Sequence, residues 1–321
     1  MRQMNHSLGV FRAALLAGWV ALSAAGTIYA RSKGVPAWVA APVVAAFLFE
    51  YTFYLIPGFT GLREWFAPRL SAFLVASFVA PYAVYALGTG QFRWLAMAQL
   101  LAVAAALGLW YRVLPRSAPA DIGFLALAAA IVLRGYFERI YTSPMNGLHL
   151  EILGHLALVR LCAMVMLVER GVAEMGFGFI PNRREWKLGL LYFAGFLLVG
   201  GPIAWALHLV QLAPPAPLWK IAATFLGFLW VVALSEEFFF RGLLQEWLTE
   251  WTGSAGVALV FASAVFGLCH LGFRGFPNWK FAFLAAIAGL FYGSAFRRAG
   301  SIRAGMVTHA LVVTLWRALF V

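Results

Sequence analysis

The chain is poor in charge: 11% of its 321 residues are Asp, Glu, Lys or Arg, and only 12 are acidic. Soluble domains carry about 25% charged residues, so an ordinary water-facing surface is excluded. Cysteine is scarcer still. Cys162 and Cys269 are the two present; they cannot build a disulfide framework or a thiolate zinc site. Both read as small buried apolar residues within spans. No His-Glu-x-x-His occurs, which removes the commonest helical zinc-protease signature. The net charge is +12, yet Lys and Arg stand singly or in pairs between apolar runs. They build no dense basic patch, so nucleic acid is excluded as a partner. Repeats, low-complexity tracts and soluble domains are also missing.

What remains is hydrophobic: 63% of the residues are apolar. A membrane-spanning helix needs about 20 mostly apolar residues, and helices are favoured because lipid cannot satisfy stray backbone amides. The expected fold is all-α, a polytopic transmembrane helix bundle of about 10–11 spans. These are placed at 10–30, 36–57, 70–88, 94–114, 121–137, 149–169, 188–211, 218–248, 256–272, 279–296 and 303–320. Segment 121–137 is short, and 149–169 carries Glu151, His155 and Arg160, so either is compatible with a re-entrant or interfacial helix. The first span has the basic start and small-residue end of a signal peptide, but its long apolar run reads as an uncleaved helix. Arg183, Arg184 and Lys187, with Arg297, Arg298 and Arg303, put the N-terminus on the cytoplasmic side. An integral, multi-pass protein of a cell inner or plasma membrane is expected, with the lipid bilayer as its constant partner. The widest polar break, 170–187, divides residues 1–182, an N-terminal multi-helix region of unassigned role, from residues 183–321, which hold nearly every feature resembling chemistry.

In 218–248 an apolar and aromatic run contains Ser235, Glu236, Glu237, Phe238 to Phe240, and Arg241. A charge near the bilayer centre costs about 2.5–3.5 kcal/mol on insertion scales, so such residues are functional candidates. Glu237 and Arg241 are four apart and can pair, whereas Glu236 points about 100° away and is the freer carboxylate. Burial beside a second acid favours its protonated form and brings it toward general-base range. The bland alternative is an ion pair locking two helices. The next span holds Phe266 and His270; the last holds His309. Polar groups on three of four neighbouring helices point to one shared cavity. Glu236 and His270 each lie about 14 residues, or about 21 Å, from the same membrane side. His309 lies only about six residues in, so its helix must tilt or begin deeper.

The order Glu-Glu-x-x-x-Arg, Phe-x-x-x-His, then a histidine in a last helix resembles the CPBP (CAAX protease and bacteriocin-processing) family of intramembrane endopeptidases. The resemblance covers roughly residues 185–321. It implies that Glu236 activates the attacking water, His270 helps to hold that water, Glu237 and Arg241 brace the site, and His309 stabilises the oxyanion. The family usually has Asn or a similar polar residue four after the last histidine; here Val313 stands there, so a second oxyanion donor is absent. Thr314, about 100° round the helix, is a poor substitute. Members have been described with and without metal. A metal-free site is the favoured expectation; bound zinc would use Glu236, His270 and His309.

The implied function is hydrolysis of a peptide bond in a membrane-embedded or lipidated protein substrate, such as a CAAX-like tail, a leader peptide or a C-terminal sorting helix. Two alternatives stay open: a noncatalytic scaffold or immunity protein of the same fold, which Val313 supports, and a proton- or ion-coupled transporter. Glu151 and His155 share a helical face and are expected to make local hydrogen bonds. Glu50 and Arg134 are expected to pair between helices.

Overall fold

The computed structural model describes residues 2–173 and 175–320, with side chains from residue 8 onward. Among these residues regular structure is helical, and the one β feature is an isolated antiparallel bridge between Leu212 and Phe320. Every expected segment is occupied by a helix. Seven are long and apolar enough to cross a membrane: Leu8–Ser32, Ala37–Gly58, Thr60–Gly88, Glu151–Arg170, Arg183–Ala206, Leu218–Thr252 and Trp279–Ala299. Trp94–Gly108, Ala118–Leu133 and Ala255–Cys269 are apolar but shorter. This is an integral, multi-pass, all-α membrane protein. Segment 149–169, whose polar residues left it open to an interfacial role, forms a helix long and apolar enough to cross a membrane.

Two compact units divide the chain, Met1–Ala173 and Glu174–Val321. In the first, α1 (Arg2–Ser32), α2 (Ala37–Tyr54), α3 (Leu70–Gly88), α4 (Trp94–Gly108), α5 (Ala118–Leu133) and α6 (Glu151–Met164) follow in order. Helix α3 buries Leu70, Leu74, Phe78 and Tyr82. That four-residue interval lays one apolar stripe against α2, α4 and α6. The expected pairing of Glu50 is present: Arg160 on α6 donates from Nε and Nη2 to its two carboxylate oxygens at 2.9 and 3.2 Å. The same guanidinium donates to the Ser77 hydroxyl at 2.8 Å and the Ser77 carbonyl at 3.2 Å. Three helices are thereby tied by one fully buried cation. His155 Nδ1 lies 3.0 Å from the Glu151 carbonyl and His149 Nδ1 lies 2.8 Å from the Glu151 carboxylate, so these groups do bond locally.

Two expectations fail in detail. Arg134 joins no helix pair among the described residues; α5 stops at Leu133, Gly135 turns with φ +59°, and Arg134 is exposed as the helix cap. Cys162 is buried as expected, but Cys269 is exposed, because it closes its helix on the outward side.

In the second unit, α7 (Arg183–Ala206), α8 (Leu218–Thr252), α9 (Ala255–Cys269), α10 (Trp279–Ala299) and α11 (Ile302–Leu319) follow in order. Helix α7 opens with a reciprocal cap: the Glu185 amide donates to Asn182 Oδ1 at 2.9 Å, and the Asn182 amide donates to the Glu185 carboxylate at 2.6 Å. Helices α8 and α10 end on Gly253 and Gly300, at φ +65° and +67°. Helix α10 is central, packing on α7, α9 and α11, while α8 lies against α9 and α11. Small residues set the closest approach: a Cβ at Gly267 would lie 2.4 Å from the Ala282 carbonyl, so only glycine lets α9 and α10 meet there. The segment after Glu174 folds with this unit, since Ile302 N donates to Met175 O at 2.9 Å and the Phe177 ring sits 4.9 Å from Phe238.

Candidate active site

Helix α8 is not a uniform α-helix. Its turns widen to π geometry over Phe228–Ala233 and Phe238–Gln245, leaving a single α turn, Leu234–Glu237, between them. Both carboxylates of interest sit in that turn. Widened turns recur at functional sites because they shift the helix face that follows them.

Glu237 is fully buried and contacts an arginine and a histidine. Arg241 Nε lies 3.2 Å from its Oε2, and His309 Nδ1 lies 3.0 Å from its Oε1. The arginine contact is an ion pair whose angle falls outside hydrogen-bond geometry, so Arg241 Nε and Glu237 Oε2 remain without a hydrogen-bond partner. Arg241 is fixed from other directions: Nη2 donates to the Gly289 carbonyl at 3.1 Å, and the guanidinium lies 4.6 Å from the Phe266 ring centre and 5.5 Å from that of Tyr292. Aromatic faces stabilise a cation most where water is excluded.

Glu236 behaves differently, as the spacing predicts. Its side chain keeps 29% exposure, and Oε2 faces His309 Nε2 at 3.8 Å. That oxygen is buried and accepts no hydrogen bond among the described residues. His309 therefore stands between the two acids, one on each ring nitrogen. Its ring lies flat on Tyr292, with centres 4.6 Å apart and planes 14° apart, and edge-on to Phe266 at 5.8 Å. His309 reaches both acids although α11 begins at Ile302, close to the expected start of that span.

His270 is the site member held at one remove. It caps α9, with Nδ1 2.8 Å from the Phe266 carbonyl. A carbonyl can only accept, so Nδ1 carries the proton of this bond. Among the described residues no hydrogen bond or ion pair joins His270 directly to Glu236. The link is Phe266, whose ring centre lies 4.6 Å from that of His270 and also contacts His309 and Arg241. Four of the five expected residues thus meet in direct contact, and the fifth is joined through the aromatic of its own motif.

Three supporting positions carry no charge signal in the sequence. Tyr292 shelves the imidazole, Gly289 offers its carbonyl to Arg241, and Gly305 makes room for Glu237, since a Cβ there would lie 2.6 Å from Oε2. Gly289 and Tyr292 are three apart on α10 and so share a face, the one available hint. Thr314 is buried and its hydroxyl has no partner; it contacts none of the four clustered residues. Among the described residues no three His, Cys, Asp or Glu side chains are placed to hold a metal ion together.

No curated protein and no solved structure matches the chain. Residues 217–315, which contain all five expected site residues but less than half of the chain, match the Rce1-like family model, type II CAAX prenyl endopeptidase Rce1-like, consistent with the CPBP resemblance and with a protease of the CAAX type.

Proposed function

We propose that the C-terminal unit hydrolyses a peptide bond of a membrane-embedded or lipidated protein substrate, with a water activated by Glu236. The observation that supports this most is the chain of contacts Arg241–Glu237–His309–Glu236, which holds one imidazole between a braced acid and a freer one. In this role His309 carries both ring protons: Nδ1–H donates to Glu237, and Nε2–H is the donor aimed into the space beside Glu236.

The reading then assigns one role to each group. Glu236 takes a proton from water as the water oxygen bonds to the carbonyl carbon. His270, through its free Nε2, accepts the other proton of that water as a hydrogen bond and orients it. The carbonyl oxygen gathers negative charge opposite His309 Nε2–H, and on collapse the protonated Glu236 returns its proton to the departing amine. A positioned general base contributes about 10²–10⁴-fold and an oxyanion donor about 10²–10³-fold. Phe240, 5.8 Å from the Arg241 guanidinium and 5.1 Å from the Phe266 ring, gives the site a dry flank, suited to an apolar helix or a lipidated tail.

The test is cleavage by the full-length protein in lipid nanodiscs, against a quenched farnesylated peptide with a CAAX-type tail and a single-span reporter carrying a leader sequence. Wild-type protein should cut one of them, and Glu236→Gln should not, while keeping the same melting temperature. Undiminished cleavage by both Glu236→Gln and Glu236→Ala would remove the mechanism.

A further inference from the structure

We propose that a basic cavity at the Leu218 end of α8 binds the phosphate of an anionic phospholipid headgroup. The cavity encloses about 410 Å³ and is lined by Lys220, Thr224, Arg274, Thr314 and Arg317, together with aromatic residues including Phe273. No acidic side chain is among the lining residues. Three elements contribute the cations: Lys220 the first turn of α8, Arg274 the loop after α9, and Arg317 the last turn of α11. All three line the same cavity, which places them at one end of the unit.

None of the three cations is in an ion pair among the described residues. Arg317 instead lies 5.0 Å over Phe228 and Arg274 lies 5.4 Å over Phe273, which holds each guanidinium in place without neutralising it. Cations at the opposite end are engaged differently: Arg303 pairs with Glu185 at 2.9 Å, and Arg184 donates to the Arg298 carbonyl at 3.1 Å. The cavity also meets Thr314, 93% buried, whose hydroxyl has no hydrogen-bond partner. Such a donor is costly to leave unmatched. Three unpaired cations and an unmatched hydroxyl around one cavity fit a tetrahedral oxyanion, which offers several strong acceptors at once.

The surroundings point to a lipid as the bearer of that phosphate. Leu218, Trp219 and Phe276 stand 84%, 72% and 80% exposed at the same end. Large outward apolar side chains beside cations mark the headgroup level of a membrane protein. Basic pockets between transmembrane helices take anionic headgroups, with each Lys or Arg near the surface strengthening binding about fivefold.

The experiment measures the melting temperature of the full-length protein in phosphatidylcholine nanodiscs, with phosphatidylglycerol added in steps. The expected result is a rise with phosphatidylglycerol that the combined Lys220→Gln, Arg274→Gln and Arg317→Gln variant loses. Arg297→Gln with Arg298→Gln, at the far end, should keep it. Thr314→Val, which preserves packing, should raise the lipid fraction needed for half the shift several-fold. A separate arm adds inorganic phosphate to phosphatidylcholine discs at matched ionic strength. A shift with inorganic phosphate and none with phosphatidylglycerol would overturn the lipid as source. An equal shift in wild type and triple variant would overturn the site. Both arms read stability, so they stand apart from any outcome for peptide cleavage.

Discussion

Each unit buries an acid against an arginine, and the two pairs are built on opposite principles. In the N-terminal unit Arg160 spends its donors on Glu50 and Ser77, and neither member of the pair leaves a polar atom unmatched. In the C-terminal unit Glu237 and Arg241 are as deeply buried, yet Arg241 Nε and Nη1, Glu237 Oε2 and Glu236 Oε2 all lack hydrogen-bond partners. Saturation marks a fastener. A cluster that keeps unmatched donors and acceptors and a shared imidazole in a low-dielectric setting is costly to fold, a cost that the proposed hydrolysis would account for and a fastener would not.

The sharpest way to break this contrast is to remove the freer acid. Glu236→Gln should lower peptide hydrolysis by about 10²–10⁴-fold with little change in melting temperature, because that side chain is partly exposed and accepts no structural bond. Next in size is the fastener. Arg160→Leu alone strands a buried Glu50 and should destabilise the protein by about 3–5 kcal/mol, read as lost yield and earlier thermal unfolding in detergent. Glu50→Leu combined with Arg160→Leu should recover much of that loss, since an apolar pair replaces a saturated ionic one at little cost. If the double variant stays as unstable as the single, the pair does more than fasten. His309→Gln should reduce turnover by about 10²–10³-fold, measured on the same substrate as Glu236→Gln. The smallest effect belongs to the shelf beneath the imidazole: Tyr292→Phe keeps the stacked ring and should leave turnover within about threefold, whereas Tyr292→Leu removes the aromatic face, which is worth about 0.5–1.5 kcal/mol.

The helices were legible because an apolar run of bilayer length has few other solutions, and Glu236, Glu237, Arg241, His270 and His309 were legible because ionisable groups in such runs are rare. Four-residue spacing also separated the roles of the two acids, and the contacts of Glu237 and Glu236 follow that division. Less could be read of what surrounds them. Tyr292, Gly289 and Gly305 act through a ring face, a carbonyl and an empty volume, none of which has a charge or period of its own. The widened turns of α8 have no counterpart in local helix propensity, which scores residues one by one. Cys269 and Arg134 were misplaced for a related reason. Each sits at the last turn of its helix, where a shift of one residue decides whether a side chain faces inward or out.

Gly305 has a practical meaning for anyone who wants this protein silent but whole. A single methyl there must compete with the Glu237 carboxylate for the same 2.6 Å of space, so alanine pushes the acid off its imidazole while every ionisable group stays on the chain. Gly305→Ala is therefore a lock placed from behind: net charge and the membrane-facing surface are untouched, and under the proposed hydrolysis a partner recognised by those features should still dock but leave uncut.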